Sequence, residues 1–205
     1  MGYRQNRIIH VVCEGHSEVA YLNELNKLFR ENGGNIVLKP YRAVNGSYLE
    51  IRKKYREVWR NNRNADICIL VDRDIYERSP KESCLYSHHL DDHLPDFLFN
   101  YMNMEDFLVL HLPYESVLRW HSICKSRHHF ETPLQADAYM SLLNSSSVFT
   151  DGKYRKGMVP FEVSLNRLGL LFSNNRNADF EFRSDFATML ESLMAEMQLA
   201  LPHTP

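Results

Sequence analysis

The stretch Ile8-Ile9-His10-Val11-Val12-Cys13-Glu14-Gly15-His16-Ser17-Glu18 decides the fold class. Its first half is a near-continuous apolar run, which is typical of a buried parallel strand. The run ends abruptly at Glu14, and Gly15 then supplies the backbone freedom for a sharp turn. The residues that follow have apolar positions at helical spacing, which predicts a helix over 17–32. We therefore expect a strand over 7–13 that ends in a carboxylate and leads directly into a helix.

A second apolar run, Ile67-Cys68-Ile69-Leu70-Val71, ends in Asp72-Arg73-Asp74. In an extended chain, residues two apart point to the same side, so the two aspartates are expected to converge on one ion while Arg73 points away. Open α/β sheets place ligands beyond the carboxyl ends of their strands, and carboxylate oxygens suit Mg²⁺ or Mn²⁺ better than Zn²⁺. The acidic strand ends therefore predict a divalent-metal site. Its predicted ligands are the four carboxylates Glu14, Glu18, Asp72 and Asp74.

The order of elements predicts an α/β fold. Strand, helix, strand, helix and strand follow one another at a spacing that favours right-handed crossovers and a mostly parallel sheet. We expect a four-stranded sheet flanked by helices over residues 1–128 and a C-terminal helical extension over 129–205. The further predicted elements are a strand over 36–40, a helix over 48–60, an exposed loop over 75–87, a helix over 88–102, a fourth strand over 107–112, and helices over 116–125, 133–144, 160–172 and 184–199.

Length, charge and cysteine content narrow the class of protein. The chain of 205 residues is long enough for one well-buried α/β domain, and its formal net charge of −2 excludes a chain that binds nucleic acid as a polycation along its whole length. The four cysteines are scattered without a CxxC pair, which predicts reduced thiols. No apolar window approaches the roughly 18 residues of a membrane span or forms a signal peptide, so we expect a soluble, cytoplasmic protein.

The helix predicted over 48–60 carries the densest basic patch of the chain. Such a patch can track a phosphate backbone, although a solvated helix face is an alternative interpretation. The predicted nucleic-acid-binding residues are Arg52, Lys53, Lys54, Arg56 and Arg60, with Arg63 just beyond them.

Glu-Gly-x-Ser-Glu after the first strand and Asp-x-Asp after a later one resemble a TOPRIM domain, the metal-binding fold of topoisomerases, DnaG-type primases and OLD-family nucleases. More narrowly, residues 14–21, Asn45-Gly46-Ser47 before a basic helix, and Val71-Asp72-Arg73-Asp74 are similar to RloB-like proteins, and this similarity covers residues 7–125. RloB-like proteins are small stand-alone TOPRIM proteins linked to anti-phage defence and often encoded beside an ABC-type or AAA-type ATPase. The resemblance implies a Mg²⁺- or Mn²⁺-dependent nuclease with an ATPase partner.

The resemblance also implies roles for single residues. Asp72 and Asp74 would bind metal, Glu14 would bind metal or act as a general acid or base, and Glu18 would complete the shell. Pro113-Tyr114-Glu115 resembles a Pro…Glu…Trp segment, which makes Glu115 a catalytic candidate, although Trp120 lies further along than the pattern places it. Tyr154-Arg155-Lys156-Gly157 resembles a late Tyr-x-Lys segment, so Lys156 is a candidate for stabilising transition-state charge.

Other interpretations stay open at this point. A non-catalytic adaptor or toxin-like effector that docks on a partner is one alternative to the nuclease. The sequence does not decide between DNA and RNA, tRNA included, or between a monomer and a homodimer. A zinc site is a further option. Its candidate ligands are His88, His89 and His93, with Cys124, His128 and His129 further on. His89 and His93 are one helical turn apart and could share a face, but no paired Cys/His ladder accompanies them.

Overall fold

The computed structural model describes residues 6–88, 95, 97–149 and 154–201. The strands in these residues are β1 (Arg7–Cys13), β2 (Ile36–Arg42), β3 (Asp66–Val71) and β4 (Phe97–Phe99). The helices in these residues are α1 (His16–Glu31), α2 (Tyr48–Asn61), α3 (Asp74–Arg78), α4 (Pro80–Ser87), α5 (Met104–Val109), α6 (Tyr114–Ser126), α7 (Ala136–Ser146), α8 (Leu165–Arg176) and α9 (Asp185–Glu196).

The four strands form one parallel sheet in the order β2-β1-β3-β4. At the carboxyl end of β1, Cys13 pairs with Arg42 of β2 on one side and with Leu70 of β3 on the other. The third pairing is also parallel and joins Val71 to Phe99 of β4. An all-parallel sheet with flanking helices and a helical C-terminal part confirms the predicted α/β fold.

The sheet separates two hydrophobic cores because successive side chains of a strand point to opposite faces. Val11 and Cys13 face the larger core, which α1 shares with α5 to α9. Val12 faces the smaller core, which is closed by α2, α3 and α4. The larger core contains residues from both sides of the predicted boundary at 128/129, so the C-terminal helices pack against the sheet domain.

The prediction of the fourth strand is wrong. Residues 107–109 belong to helix α5, all six residues of which are buried, and the fourth strand is β4. A short apolar run that is covered on every side has no exposed face, so its periodicity does not distinguish a strand from a buried helix. The helix predicted over 88–102 is wrong at 97–99, which form β4, while its residues 89–94 and 96 lie outside the described part of the chain.

The segment predicted as an exposed loop over 75–87 is instead occupied by α3 and α4. Ser79 caps α4 by accepting a hydrogen bond from the backbone N–H of Glu82, at 3.3 Å, and Pro80 occupies the first helical position. A proline there costs nothing, because the N–H that it lacks would have no partner within the helix. Pro80 therefore begins a helix in the segment that was predicted to be a loop.

The C-terminal helices lie close to their predicted positions, with shifted ends. Helix α7 continues past its predicted end at 144 and includes Ser145 and Ser146. Helices α8 and α9 begin at Leu165 and Asp185, each after a serine whose hydroxyl accepts a backbone N–H of the first turn. In the described ranges, no helix is long and apolar enough to cross a membrane.

Candidate functional site

The site lies where the order of strands in the sheet reverses. From β1 the chain passes to β2 on one side, and it then returns to form β3 on the other side. In open parallel sheets, this switch point leaves a crevice beyond the carboxyl ends of the two strands. Glu14 directly follows β1 and Asp72 directly follows β3. A cavity of about 530 Å³ opens between them.

The cavity has an acidic interior and a basic rim. Two exposed cations, Lys156 and Arg42, lie at the rim. Nη1 of Arg42 donates a hydrogen bond to Nε2 of His16, which also lines the cavity, at 2.7 Å. The carboxylates that line the cavity are Glu14, Glu18, Asp72 and Glu105.

Backbone groups hold two of these carboxylates. Glu14 Oε2 accepts a hydrogen bond from the backbone N–H of Asp72 at 3.3 Å, which links the ends of the two central strands. Glu18 Oε2 accepts the N–H of Gly15 at 3.1 Å, at the start of α1. Gly46 leaves the space for Glu14, because a Cβ added at position 46 would lie 2.3 Å from Cδ of Glu14. The β1–α1 turn and the β2–α2 turn therefore both shape the acidic interior of the cavity.

The electrostatic state of the interior follows from burial and crowding. Burial, and next the charge of Glu18, raise the pKa of Glu14 to about 8. Burial raises the pKa of Glu18 to about 7. The pKa of Asp72 lies well above its usual range, first because it is buried and then because Glu18 and Glu14 repel its charge. These carboxyl groups cannot all ionise near neutral pH without a compensating cation.

The donor chemistry of the interior fits a hard divalent cation. All the acidic ligand atoms are oxygens, as Mg²⁺ and Mn²⁺ prefer. Oδ1 of Asp72 is buried without a hydrogen-bond partner in the described structure, which leaves an acceptor that an ion or a water would complete. Within the described ranges, no three His, Cys, Asp or Glu side chains are already arranged around a common point as ligands. Glu14 and Glu18 would exchange their backbone hydrogen bonds for a metal ion.

Asp74 does not line the cavity with Asp72. It begins α3, where its carboxylate pairs with Arg78 at 2.6 Å. The expected convergence of the two aspartates assumed an extended chain, but the chain turns into a helix after Arg73. Arg73 pairs with Glu77 at 2.6 Å. This agrees with the prediction that its side chain points away from the acidic site. Asp74 still contributes to the electrostatics of the site, because its charge raises the pKa of Glu14.

The structure brings Glu105, rather than Glu115, to the cavity. Glu115 is exposed in the first turn of α6 and does not line the cavity. Glu105 is only 3% exposed, and its pKa is raised mainly by burial. The signal for Glu105 was an acidic pair, Glu105-Asp106, immediately before an apolar run. Sequence reasoning missed it because the run was interpreted as a strand that begins at 107.

Lys156 is brought to the cavity by a segment that is fastened to α1. Ser17 accepts a hydrogen bond from the N–H of Gly157 at 3.0 Å, and its hydroxyl lies 3.3 Å from the hydroxyl of Tyr154. Burial raises the pKa of Glu14 and of Glu105, and the positive charge of Lys156 opposes part of that rise. Tyr154 and Gly157 lie on either side of Lys156, and both contact Ser17 of α1. These contacts therefore determine where the ammonium group of Lys156 enters the site.

The predicted nucleic-acid-binding residues lie on α2, which begins beside the cavity and runs away from it. Lys54 pairs with Glu57 at 2.7 Å and Lys53 lies 3.8 Å from Glu50. Arg56 and Arg60 are exposed. None of these side chains lines the cavity.

Two histidines of the zinc option, adjacent in the sequence, have different surroundings. His129 is fully buried, with Nε2 at 3.3 Å from Asp106, and His128 is exposed beside Glu131. His89 and His93 lie outside the described residues. The part of the chain that is described therefore contains no zinc-like group.

Comparison of the chain with family models, with curated proteins and with solved structures finds no match. The TOPRIM interpretation and the RloB-like interpretation accordingly stay predictions.

Proposed function

We propose that the protein is a divalent-metal-dependent phosphodiesterase of the TOPRIM type that acts on nucleic acid. One observation carries the proposal: carboxylates from β1, β3 and the helices α1 and α5 line one cavity at the switch point of the sheet, beneath a rim of cations. Buried carboxylates repel each other unless a cation or protons compensate their charge. A ligand that carries phosphate brings the negative charge that the rim would bind.

The proposed chemistry assigns different tasks to the interior and the rim. Phosphodiester cleavage develops negative charge on the attacking and leaving oxygens, which a divalent ion neutralises when it is bound. The carboxylates that would hold that ion are Glu14, Glu18, Asp72 and Glu105. Arg42 and Lys156 would bind the non-bridging phosphate oxygens, and charge-assisted hydrogen bonds of this kind are the strong ones.

Glu14 is the best candidate for proton transfer. Its pKa is raised to about 8, so it can both carry and accept a proton near neutral pH. The hydrogen bond from the backbone of Asp72 holds its carboxyl group at the end of β1. Glu14 would therefore act as the general acid or base, or as a metal ligand, as the resemblance implies. A role in anti-phage defence and an ATPase partner remain predictions of that resemblance.

The test combines metal binding with cleavage. Calorimetric titration with Mn²⁺ should detect binding to the wild type, at least a ten-fold loss of affinity in Asp72→Asn, and no loss in Glu115→Gln, which changes an exposed carboxylate outside the cavity. Cleavage assays should use plasmid, a single-stranded oligonucleotide and bulk tRNA. Metal binding that is abolished by Asp72→Asn, with cleavage of one of these substrates, supports the proposal. A wild type that does not bind Mn²⁺ contradicts it. Metal binding without cleavage of any of them favours the adaptor that docks on a partner.

A further inference from the structure

One side of α2 carries three basic side chains and two exposed apolar ones. The buried positions of this helix are Tyr48, Ile51 and Val58, which face the smaller core. The opposite side forms a continuous row at helical spacing, because positions three and four apart are neighbours on a helix surface. We call this row the α2 ridge, and it consists of Leu49, Lys53, Arg56, Trp59 and Arg60, which are all exposed. Glu57 is also exposed beside this row, and its carboxylate pairs with Lys54.

Trp59 is the unusual member of the α2 ridge. Its side chain is 44% exposed, and the guanidinium carbon of Arg63 lies 5.9 Å from its ring centroid. The chain has one other tryptophan, Trp120, which is fully buried and donates its indole N–H to Asp106 at 2.8 Å. A single exposed aromatic residue is ordinary on a protein surface. An exposed indole between arginines has a more specific chemistry, since it offers a flat apolar face beside fixed positive charge.

The charge of this region is strongly positive although the chain as a whole is nearly neutral. Residues 48–63 contain six Lys and Arg side chains and two carboxylates. Those carboxylates, Glu50 and Glu57, lie beside Lys53 and Lys54. Even when both are counted against the six cations, residues 48–63 keep a formal charge of +4. A polyanion is the partner that this distribution of charge attracts.

The combination of indole and arginine selects an unpaired strand over a duplex. Only unpaired bases expose the flat faces that stack on an aromatic side chain, and such stacking tolerates any base. In a duplex those faces are covered by neighbouring base pairs, which leaves the phosphates alone for recognition. A duplex would therefore bind the cations of the ridge and gain nothing from Trp59.

The position of α2 connects the ridge to the cavity. Asn45 and Gly46 line the cavity, and α2 begins at Tyr48. Eleven residues separate Tyr48 from Trp59, which at 1.5 Å per residue is about 17 Å. That length corresponds to about five nucleotides at the 3.4 Å spacing of a stacked strand.

We propose that the α2 ridge binds single-stranded nucleic acid, with a base stacked on Trp59 and the adjoining phosphates bound by Arg60 and Arg63, and that it directs the strand toward the cavity. The inference deepens the proposed function and rests on it only for what happens at the cavity. Binding along the ridge needs neither metal nor cleavage.

The experiment measures binding in EDTA at low salt. A twelve-nucleotide oligo(dT) should quench tryptophan emission, since Trp59 is the exposed emitter and Trp120 is buried. By the anisotropy of a labelled oligonucleotide, Trp59→Ala should weaken binding of the single strand by about 5- to 100-fold. The same substitution should change the affinity for a duplex of equal length less than two-fold. Arg60→Gln should lower the slope of log K against log salt by about one, because a phosphate contact is lost.

A matched control is available on another helix. Tyr114 in α6 is a 40% exposed aromatic residue away from the ridge, so Tyr114→Ala should leave single-strand affinity unchanged. The proposal is overturned if Trp59→Ala binds the single strand as tightly as the wild type, or if it weakens duplex binding equally. It is also overturned if the emission of Trp59 responds to protein concentration and not to oligonucleotide, because Trp59 would then form a protein contact. Failure of metal binding with intact single-strand binding would contradict only the proposed catalysis.

Discussion

Individual carboxyl groups at the switch point keep their protons to a higher pH than they would in the unfolded chain. Glu14 and Glu18 have pKa values of about 8 and about 7, while an unfolded glutamate titrates near 4.5. Between these values the unfolded state binds fewer protons than the folded state, so the metal-free protein loses stability as the pH rises from about 4.5 to about 8. Each fully shifted group contributes about 1.4 kcal/mol per pH unit.

Replacing one buried carboxylate should therefore stabilise the protein without metal. We expect Asp72→Asn to raise the free energy of unfolding at pH 8 in EDTA and to flatten its decrease between pH 5 and pH 8, because a repulsive charge is removed. Saturating Mg²⁺ should flatten the wild-type curve in the same way. Urea titrations at several pH values give these numbers. The control Glu115→Gln should follow the wild type, and equal curves for Asp72→Asn and wild type in EDTA would show that the repulsion is absent.

Gly46 sets the space available to Glu14. A Cβ at position 46 would lie 2.3 to 2.5 Å from the carboxyl atoms of Glu14, so Gly46→Ala must displace that side chain. We expect at least a ten-fold loss of Mn²⁺ affinity by calorimetry, with an unchanged circular dichroism spectrum. Gly169→Ala is the matched control, because nothing lies within 4 Å of a Cβ added there in α8. The control should keep its metal affinity and gain about 0.5–1 kcal/mol of stability.

At the scale of elements, α5 is held in place by one buried acid. Asp106 accepts hydrogen bonds from the indole of Trp120 in α6 and from the hydroxyl of Tyr139 in α7, both at 2.8 Å. Its second oxygen lies 3.3 Å from Nε2 of His129, whose Nδ1 accepts the N–H of Leu134 at 3.1 Å. Because His129 uses Nδ1 as an acceptor, its proton is on Nε2 and points at Asp106. This network fixes the helix that carries Glu105.

Asp106→Asn should leave at least one hydrogen-bonding group of this buried network without a suitable partner. An amide group would place a second N–H against the Nε2–H of His129, or would lose the two bonds from Trp120 and Tyr139. We expect a loss of about 1–3 kcal/mol in the free energy of unfolding, measured by urea denaturation. Asp179→Asn, at an exposed turn between α8 and α9, should change stability by less than about 0.5 kcal/mol. A stable Asp106→Asn protein would mean that the network can rearrange without cost.

Helix α5 also shows which kind of element a local sequence pattern does not predict. Elements β1 to β3 were predicted close to their observed ends, because their apolar runs are bounded by turns and acids that act locally. Helix α5 was not, because its six buried residues are covered from every side and show no period. The sequence pattern placed Glu14, Glu18 and Asp72 at one end of the sheet, and they do line one cavity. Glu105 and Arg42 join them only through tertiary packing, which no local spacing reveals.

At the scale of the whole molecule, the larger core depends on a neutral histidine. His111 is fully buried, receives the hydroxyl of Tyr21 at 2.7 Å on Nε2, and lies 3.2 Å from the carbonyl of Phe107 through Nδ1. Burial lowers its pKa to about 3. Since an unfolded histidine titrates near 6.5, the stability that depends on neutral His111 is complete above pH 6.5 and is lost as the pH falls toward 3.

The free energy of unfolding should therefore fall by up to about 1.4 kcal/mol per pH unit from this residue below pH 6.5. In His111→Gln the slope between pH 6.5 and pH 4 should be smaller by that amount, although the variant is less stable at pH 7. His128→Asn changes an exposed histidine with a positive φ of 54°, which asparagine tolerates, and should retain the wild-type slope. An unchanged slope in His111→Gln would assign acid unfolding to other groups.

Both outer strands of the sheet are poor templates for another strand. Strand β2 contains Pro40, which has no N–H to donate, and β4 is three residues long. The carboxylate of Asp185 in α9 accepts the N–H of Phe99 at 3.2 Å, so a donor on the outer side of β4 is already used. Open edges are where chains add to each other and aggregate. This sheet is protected against such strand addition on both sides, so its edges are poor places for two copies of this protein to join.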